Sequence, residues 1–231
     1  MSESPAGLAA GGAAPAAVTG AVAAATTTAT TGSAGLLAGR DFVEVRFGGA
    51  GGQGVILMGV ILAVAATRDH RYVIQTQSYG PEARGGYSRS DVIISDRPVD
   101  YPQLLGIDLL VALTDEAAHR YVAALRATGV FLFDSDEVRD PPLVPGASYG
   151  VPFARLALEA TGRAQAANIL TLGAVVGLTG VVRAASLEQS VLGMVPPGTE
   201  DLNLAAMRRG LGLLGDEWRR ESASQGALPL G

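Results

Sequence analysis

The chain has 231 residues, 48% hydrophobic and 17% charged, enough for one sizeable core with an appended tail. Its formal net charge is −5 and no Lys/Arg run exceeds a dipeptide, which argues against sequence-general nucleic-acid binding. It has no cysteine, so it can hold no disulfide, thiolate zinc site or cysteine-bound iron–sulfur cluster, and its two histidines, His70 and His119, have no carboxylates spaced to complete a metal site with them.

Residues 1–40 are mostly Ala, Gly, Thr, Ser and Pro. Such a segment buries too little to offset its ordering entropy, and it reads as a flexible tail, with a tether to a partner as the functional alternative. From Phe42 the texture changes. Val43, Val45 and Phe47 alternate with polar residues as in a strand leading into Gly48. A turn, Gly49–Gly54, precedes a buried helix from Val55 to Ala66. Tyr72–Thr76 and Tyr87–Ser95 read as the second and third strands. Ile107–Leu113 is a continuous apolar run suited to a strand covered on both faces. Thr114 or Asp115 can cap a helix running to about Ala127, and Val130–Phe133 is a further strand ending at Asp134.

The second half is mainly helical. Residues 136–148 read as a Pro-rich loop, and Phe153–Thr161 as a short helix. Asn168 to about Leu178 is a buried helix with Asn168 as its N-cap, and Asn203 invites the same reading at the start of a last helix to Leu213. Between them Ser186-Leu187-Glu188-Gln189 has capping-box spacing. The alternation predicts an α/β fold: a three-layer α/β/α domain around a largely parallel sheet, with a Rossmann-like first half. The domain is expected over 41–220, between tails at 1–40 and 221–231. The apolar stretch after residue 165 is interrupted by Asn168, Thr171 and Thr179, so a buried helix is expected there and no membrane span. Glu3 and the lack of any basic residue before Arg40 do not fit a secretory signal, so a cytoplasmic location is expected.

Two segments carry candidate chemistry. Gly49–Gly54 fits Gly-x-Gly-x-x-Gly between a strand and a helix, where glycines let the backbone approach an anion at a helix N-terminus. The second strand ends in Gln75-Thr76-Gln77 and has no acid to hold a ribose, so NAD binding is disfavoured. No Lys-Ser/Thr follows the glycines, so this is not a Walker loop. A tight strand–helix connection, an anion site and a partner contact all remain open. The second segment, around Pro81, Arg84, Gly85, Gly86 and Arg89, gathers more specialised residues than an ordinary turn needs. Its arginines suit phosphate or carboxylate, or an interface salt bridge. Glu82 has no proton-transfer partner, and His119 reads as a surface residue. No Ser/His/Asp or Cys/His set is present, and no catalytic residue or metal ligand is assigned.

The motifs taken together resemble the gamma subunit of the 2-oxoacid:ferredoxin oxidoreductases. The matching pieces are Gly51-Gly52-Gln53-Gly54; Ser78-Tyr79-Gly80-Pro81-Glu82-Ala83-Arg84-Gly85-Gly86; Ser90 to Ser95 with Tyr101-Pro102; Val151-Pro152-Phe153-Ala154; Ala167-Asn168 with Leu172-Gly173-Ala174; and Asn203-Leu204-Ala205-Ala206. They span roughly 42–215 in the family's order and look most like the 2-oxoglutarate enzymes, with pyruvate and 2-oxoisovalerate enzymes as alternatives. The resemblance implies a non-redox subunit of a cytoplasmic hetero-oligomer that forms acyl-CoA and CO2. Thiamine diphosphate, Mg and an Fe4S4 cluster would sit on alpha and beta partners, and a ferredoxin-like subunit or ferredoxin would take the electrons. This chain would cover the active site and contact coenzyme A through Gly51, Gly52, Gln53, Gly54, Tyr79, Arg84, Gly85, Gly86 and Arg89. A purely structural assembly role is the alternative. The N-terminal tail is not part of the family pattern.

Overall fold

The computed structural model describes residues 35–80, 86–213 and 218–220. Its elements are β1 (Phe42–Ala50), α1 (Val55–Arg68), β2 (Tyr72–Tyr79), β3 (Tyr87–Ser95), β4 (Ile107–Ala112), α2 (Asp115–Tyr121), β5 (Leu125–Asp134), β6 (Ala147–Val151), α3 (Phe153–Thr161), α4 (Ala167–Thr179), α5 (Ala184–Leu192), α6 (Glu200–Leu211) and β7 (Arg219–Arg220). The strands form one seven-stranded sheet in the order β2-β3-β1-β4-β5-β6-β7.

β1, β4, β5 and β6 pair in parallel, as βα crossovers require. β2 also runs in this direction, but β3 returns from it as a hairpin and inserts between β2 and β1, antiparallel to both. β7 is antiparallel to β6. The fold is thus α/β with a mixed sheet in which most strands share one direction.

Alternation along the strands divides the core. Val43, Val45, Phe47, Val92, Ile94, Leu109, Val111, Val130 and Leu132 face one side and pack in a single apolar cluster with residues of α1, α3, α4, α5 and α6. Leu110, Ala112, Phe131 and Phe133 face the other side, with Ala117, Ala118 and Tyr121 of α2. The helical layers are therefore unequal: α2 packs mainly on β1 and β4, and among the described residues no helix packs broadly over β2 and β3 on that face.

Several expected boundaries move. α2 ends at Tyr121 in a 3-10 turn, and β5 starts at Leu125, so the helix expected to reach Ala127 stops two turns early. β6 lies in what read as the end of a loop. Leu36 and Leu37, expected in the tail, donate backbone hydrogen bonds to Leu178 and Thr179 O at 3.1 and 2.9 Å, and Leu37 is buried. The expected tail segments 1–34 and 221–231 lie outside the described residues. Among the described residues no helix is long and apolar enough to cross a membrane.

Three capping assignments also change. α4 begins at Ala167 with Ala166 as its N-cap, so Asn168 sits inside the first turn. α6 begins at Glu200, and Asn203 donates from Nδ2 to Thr199 O and Oγ1 at 2.8 and 3.0 Å. α5 begins at Ala184, and its entrance is held by Asp69 at the end of α1. That carboxylate accepts from Arg183 N and Nε, both at 2.7 Å, and from Ser186 Oγ. Ser186 therefore bonds across to α1 and forms no capping box.

Candidate functional site

The glycine turn joins β1 to α1 at the C-terminal end of β1. Gly52 has φ +94° and Gly54 has φ +74°, left-handed angles that glycine adopts at little cost. Gly54 is the N-cap of α1, and a Cβ on it would lie 2.4 Å from Asn168 Nδ2. Gln53 turns inward. Its Oε1 accepts from Ala50 N at 2.7 Å and its Nε2 donates to Leu113 O at 3.2 Å, so it ties the end of β1 to the end of β4. Gly51 donates its N–H to Gly86 O at 2.8 Å, which joins the two glycine-bearing segments directly. Of the residues expected to meet an anion, Gln53 and the Gly51 amide are thus committed to internal bonds.

The β2–β3 hairpin closes through Gly80 N, which donates to Tyr87 O at 2.8 Å. Tyr79 is exposed there at 62%. Arg84 and Gly85, with Pro81 and Glu82, lie outside the described residues. Arg89 is on β3 opposite Gly48 of β1 and Ser78 of β2, on the sheet face that carries α2.

On that face a charge cluster lies below the hairpin. Arg46 meets Asp91 through two bonds of 2.7 Å, and Asp91 is buried. This fork takes one acceptor site on each oxygen of the carboxylate. Arg89 approaches the same carboxylate only at 3.5 Å through Nε. Among the described residues the Arg89 guanidinium makes no hydrogen bond, although its side chain is only 34% exposed. Arg46 also lies 4.8 Å from the centre of the Tyr121 ring, and Arg120 lies 4.5 Å from that of Tyr87. Tyr121 reaches over Gly48, where a Cβ would come within 2.9 Å of the ring. Burial raises the Tyr121 hydroxyl above its usual pKa against the opposing pull of Arg89, Arg120 and Arg46, so it stays neutral at physiological pH. Three arginines face two acids, Asp91 and Glu116, and this face holds surplus positive charge in a chain of net charge −5.

Lower on the same face a second cluster is closed. Glu44, fully buried, accepts from Leu105 N and from Arg126, and its own N–H donates to Asp108 at 2.9 Å. Asp108 accepts in addition from Arg126 and Arg40, both at 3.1 Å. Every acid there is matched, and the cluster reads as structural.

A cleft of about 370 Å³ opens on the helical side of the glycine turn, with Leu57, Arg163, Asn168, Val195, Leu202 and Asn203 among its lining residues. The sequence signalled neither the Arg46–Asp91–Tyr121 cluster nor this cleft. Glu44 and Arg46 share one face of β1, and two charges at alternate positions of a strand are a sign that this face is not simply covered by an apolar helix. His119 is exposed and bonds Asp115 O through Nδ1 at 3.0 Å, as a surface residue.

This geometry is that of a mixed α/β domain whose glycine turn meets Gly86, at the start of β3, at one end of the sheet. The family model for pyruvate ferredoxin/flavodoxin oxidoreductase matches residues 44–213, and the chain belongs to that family. A 2-oxoglutarate synthase subunit KorC of Methanocaldococcus jannaschii is 46% identical over 170 residues, covering 72% of this chain and 91% of the relative. A keto/oxoacid ferredoxin oxidoreductase gamma subunit from Geobacter sulfurreducens has a solved structure with 46% sequence identity and a TM-score of 0.68, over 74% of this chain and 94% of that one. A 2-oxoglutarate:ferredoxin oxidoreductase from Magnetococcus marinus, solved with 2-oxoglutarate, coenzyme A and succinyl-CoA bound, shares the fold at 22% identity and a TM-score of 0.67, over 74% of this chain and 30% of that one.

Proposed function

We propose that this chain is the non-redox gamma subunit of a 2-oxoglutarate:ferredoxin oxidoreductase and that it contacts coenzyme A. Thiamine diphosphate with Mg and an Fe4S4 cluster belong to alpha and beta partners, which carry out decarboxylation, and ferredoxin or a ferredoxin-like subunit accepts the electrons. The substrate assignment is supported by the 2-oxoglutarate synthase relative, and coenzyme A by its presence in the Magnetococcus enzyme of the same fold.

The observation that carries the coenzyme A contact is Arg89. The Arg89 Nε is buried without a hydrogen bond, its ion pair with Asp91 being long at 3.5 Å, and a buried donor left so is costly unless a further acceptor completes it. The Asp91 carboxylate beside it is held more closely by Arg46, so the Arg89 guanidinium suits an oxyanion from outside the chain, such as a phosphate. Arg84, in the adjoining segment 81–85, is the second cation of the reading. The glycines of both turns let a ligand come close to the backbone. No group of this chain is assigned to bond breaking, and its part is to bind, orient and cover.

The test is the assembled complex carrying Arg89→Ala or Arg84→Ala, assayed for ferredoxin reduction with CoA and 2-oxoacid varied separately. Loss of a charged hydrogen bond of about 1.5–3 kcal/mol raises the KM for CoA by roughly 10- to 100-fold, with a smaller change for the 2-oxoacid. An unchanged KM for CoA in an intact complex removes the CoA role. Loss of complex integrity without a separate CoA effect favours the assembly-only role, which the exposure of Leu105 at 81% and Tyr101 at 54% also suits.

A further inference from the structure

The sheet face that carries α2 gathers hydrogen-bond donors and leaves them short of an acceptor. Tyr121, the last residue of α2, is 8% exposed, and the edge of its ring lies over Gly48, where a Cβ would come within 2.9 Å. Gly48 of β1 pairs with Arg89 of β3, so the Tyr121 ring and the Arg89 side chain stand at neighbouring positions of one face. Tyr87 is two residues before Arg89 and on the same face, and Arg120 lies 4.5 Å from the centre of its ring. Tyr87, Arg89, Arg120 and Tyr121 thus border one spot between β3 and the end of α2.

The Tyr121 hydroxyl makes no hydrogen bond among the described residues. The charged groups that act on it are Arg89, Arg120 and Arg46, and a guanidinium carries donors only. Burial keeps the phenol neutral, so it still has its proton to donate. Asp91 is engaged by Arg46 through both oxygens. Arg120 gives one N–H to Glu116 at 2.6 Å in an exposed pair, and its other donors have no partner among the described residues. A water molecule would accept from the phenol but would leave three arginines facing two acids. The same charges disfavour a bound cation. We infer that this spot is an oxyanion pocket, in which Tyr121 donates a neutral hydrogen bond beside the guanidinium groups of Arg89 and Arg120. The inference rests on the reading of Arg89 as the cation for an oxyanion from outside the chain, and it adds Tyr121 and Arg120 as the residues that complete the site. Two sources offer that chemistry: a phosphate of coenzyme A and a carboxylate of a partner subunit.

The test uses the full-length chain with inorganic phosphate as the probe, at an ionic strength held constant with chloride. Phosphate is expected to protect the parent against thermal unfolding. Tyr121→Phe keeps the ring over Gly48 and beside Arg46 and removes only the hydroxyl. The phosphate dissociation constant read from the protection should weaken about 3- to 10-fold in Tyr121→Phe and at least about tenfold in Arg120→Met. His119→Ala, on the exposed side of α2, should leave it unchanged. The same variants in the assembled complex identify the source. A raised KM for CoA in both variants makes the occupant a phosphate of coenzyme A. An unchanged KM for CoA with weaker association of the subunits makes it a partner's carboxylate; the pocket then stands and the phosphate role of Arg89 falls. No protection of the parent, or equal protection of parent, Tyr121→Phe and Arg120→Met, overturns the pocket. If Arg89→Ala alone then raises the KM for CoA, the coenzyme reading survives without it.

Discussion

Asp134 ends β5 with its carboxyl only 5% exposed, and burial raises its pKa from 3.8 to about 6. The backbone N–H of Asp136, donating at 3.0 Å, offsets part of that rise, and the nearby acids Asp136 and Glu137 add to it. The folded chain thus binds this proton more tightly than the unfolded chain does. Between pH 3.8 and about 6 the native state carries more protons, so the Asp134 contribution to stability falls as pH rises through that window and is level above it. At 1.36 kcal/mol per tenfold change in proton affinity, the full cost above pH 6 is about 3 kcal/mol. Asp134→Asn removes the charge and keeps an oxygen to accept from Asp136. The variant is expected to be more stable than the parent by about 1–3 kcal/mol at pH 7.5 and equal to it near pH 4. Denaturant unfolding followed by circular dichroism at both pH values measures this. Equal stabilities at pH 7.5, or a gain that grows toward acid, would refute the argument that burial dominates at this carboxyl.

Removing the guanidinium of Arg126 by Arg126→Met leaves Glu44 buried with a single backbone donor, Leu105 N; unfolding free energy should fall by about 3 kcal/mol, while Arg120→Met on the exposed Glu116 pair should change it by less than about 1 kcal/mol. α4 and α6 touch backbone to backbone at Gly173, where a Cβ would lie 2.2 Å from Met207 O. Gly173→Ala should cost about 1–3 kcal/mol or more because a carbonyl cannot move aside, whereas Gly193→Ala, with its nearest neighbour at 3.5 Å, should be nearly neutral in the same melt.

What was legible in the sequence was local. Tyr87–Ser95 was bounded correctly because a β-branched run ends there at a turn. The glycine turn was placed correctly between β1 and α1. The insertion of β3 between β1 and β2 was not legible, since strand neighbours depend on pairings across the sheet and not on adjacent residues. β6, of which 147–148 read as the end of a loop and 149–151 were left unassigned, is a five-residue strand containing Gly150 beside Pro-rich sequence, too short for alternation to show. Asn168 and Asn203 were misplaced because an asparagine near a helix start matches the capping preference. Asn168 instead bonds Ile169 N within the first turn and packs against Gly54, and Asn203 bonds back to Thr199, the residue that stands at the N-cap. The family motif did contain both asparagines, but only the fold shows that they face one space. Arg89 was singled out from the sequence for its type and loop position, and its buried Nε without a hydrogen bond became visible only once Arg46 was seen to occupy Asp91.

β2 lies at the margin of the sheet, and its outer backbone groups have no strand beside them among the described residues. Its sequence, Tyr72-Val-Ile-Gln-Thr-Gln-Ser-Tyr79, contains no charge and no proline, the two devices that usually keep such a margin from recruiting other strands. A subunit made in excess of its partners would therefore be drawn toward self-association along this side. Balanced production of the subunits then matters for solubility as well as for stoichiometry, and a single lysine on the outer side of β2 is the simplest way to obtain the free chain in concentrated solution.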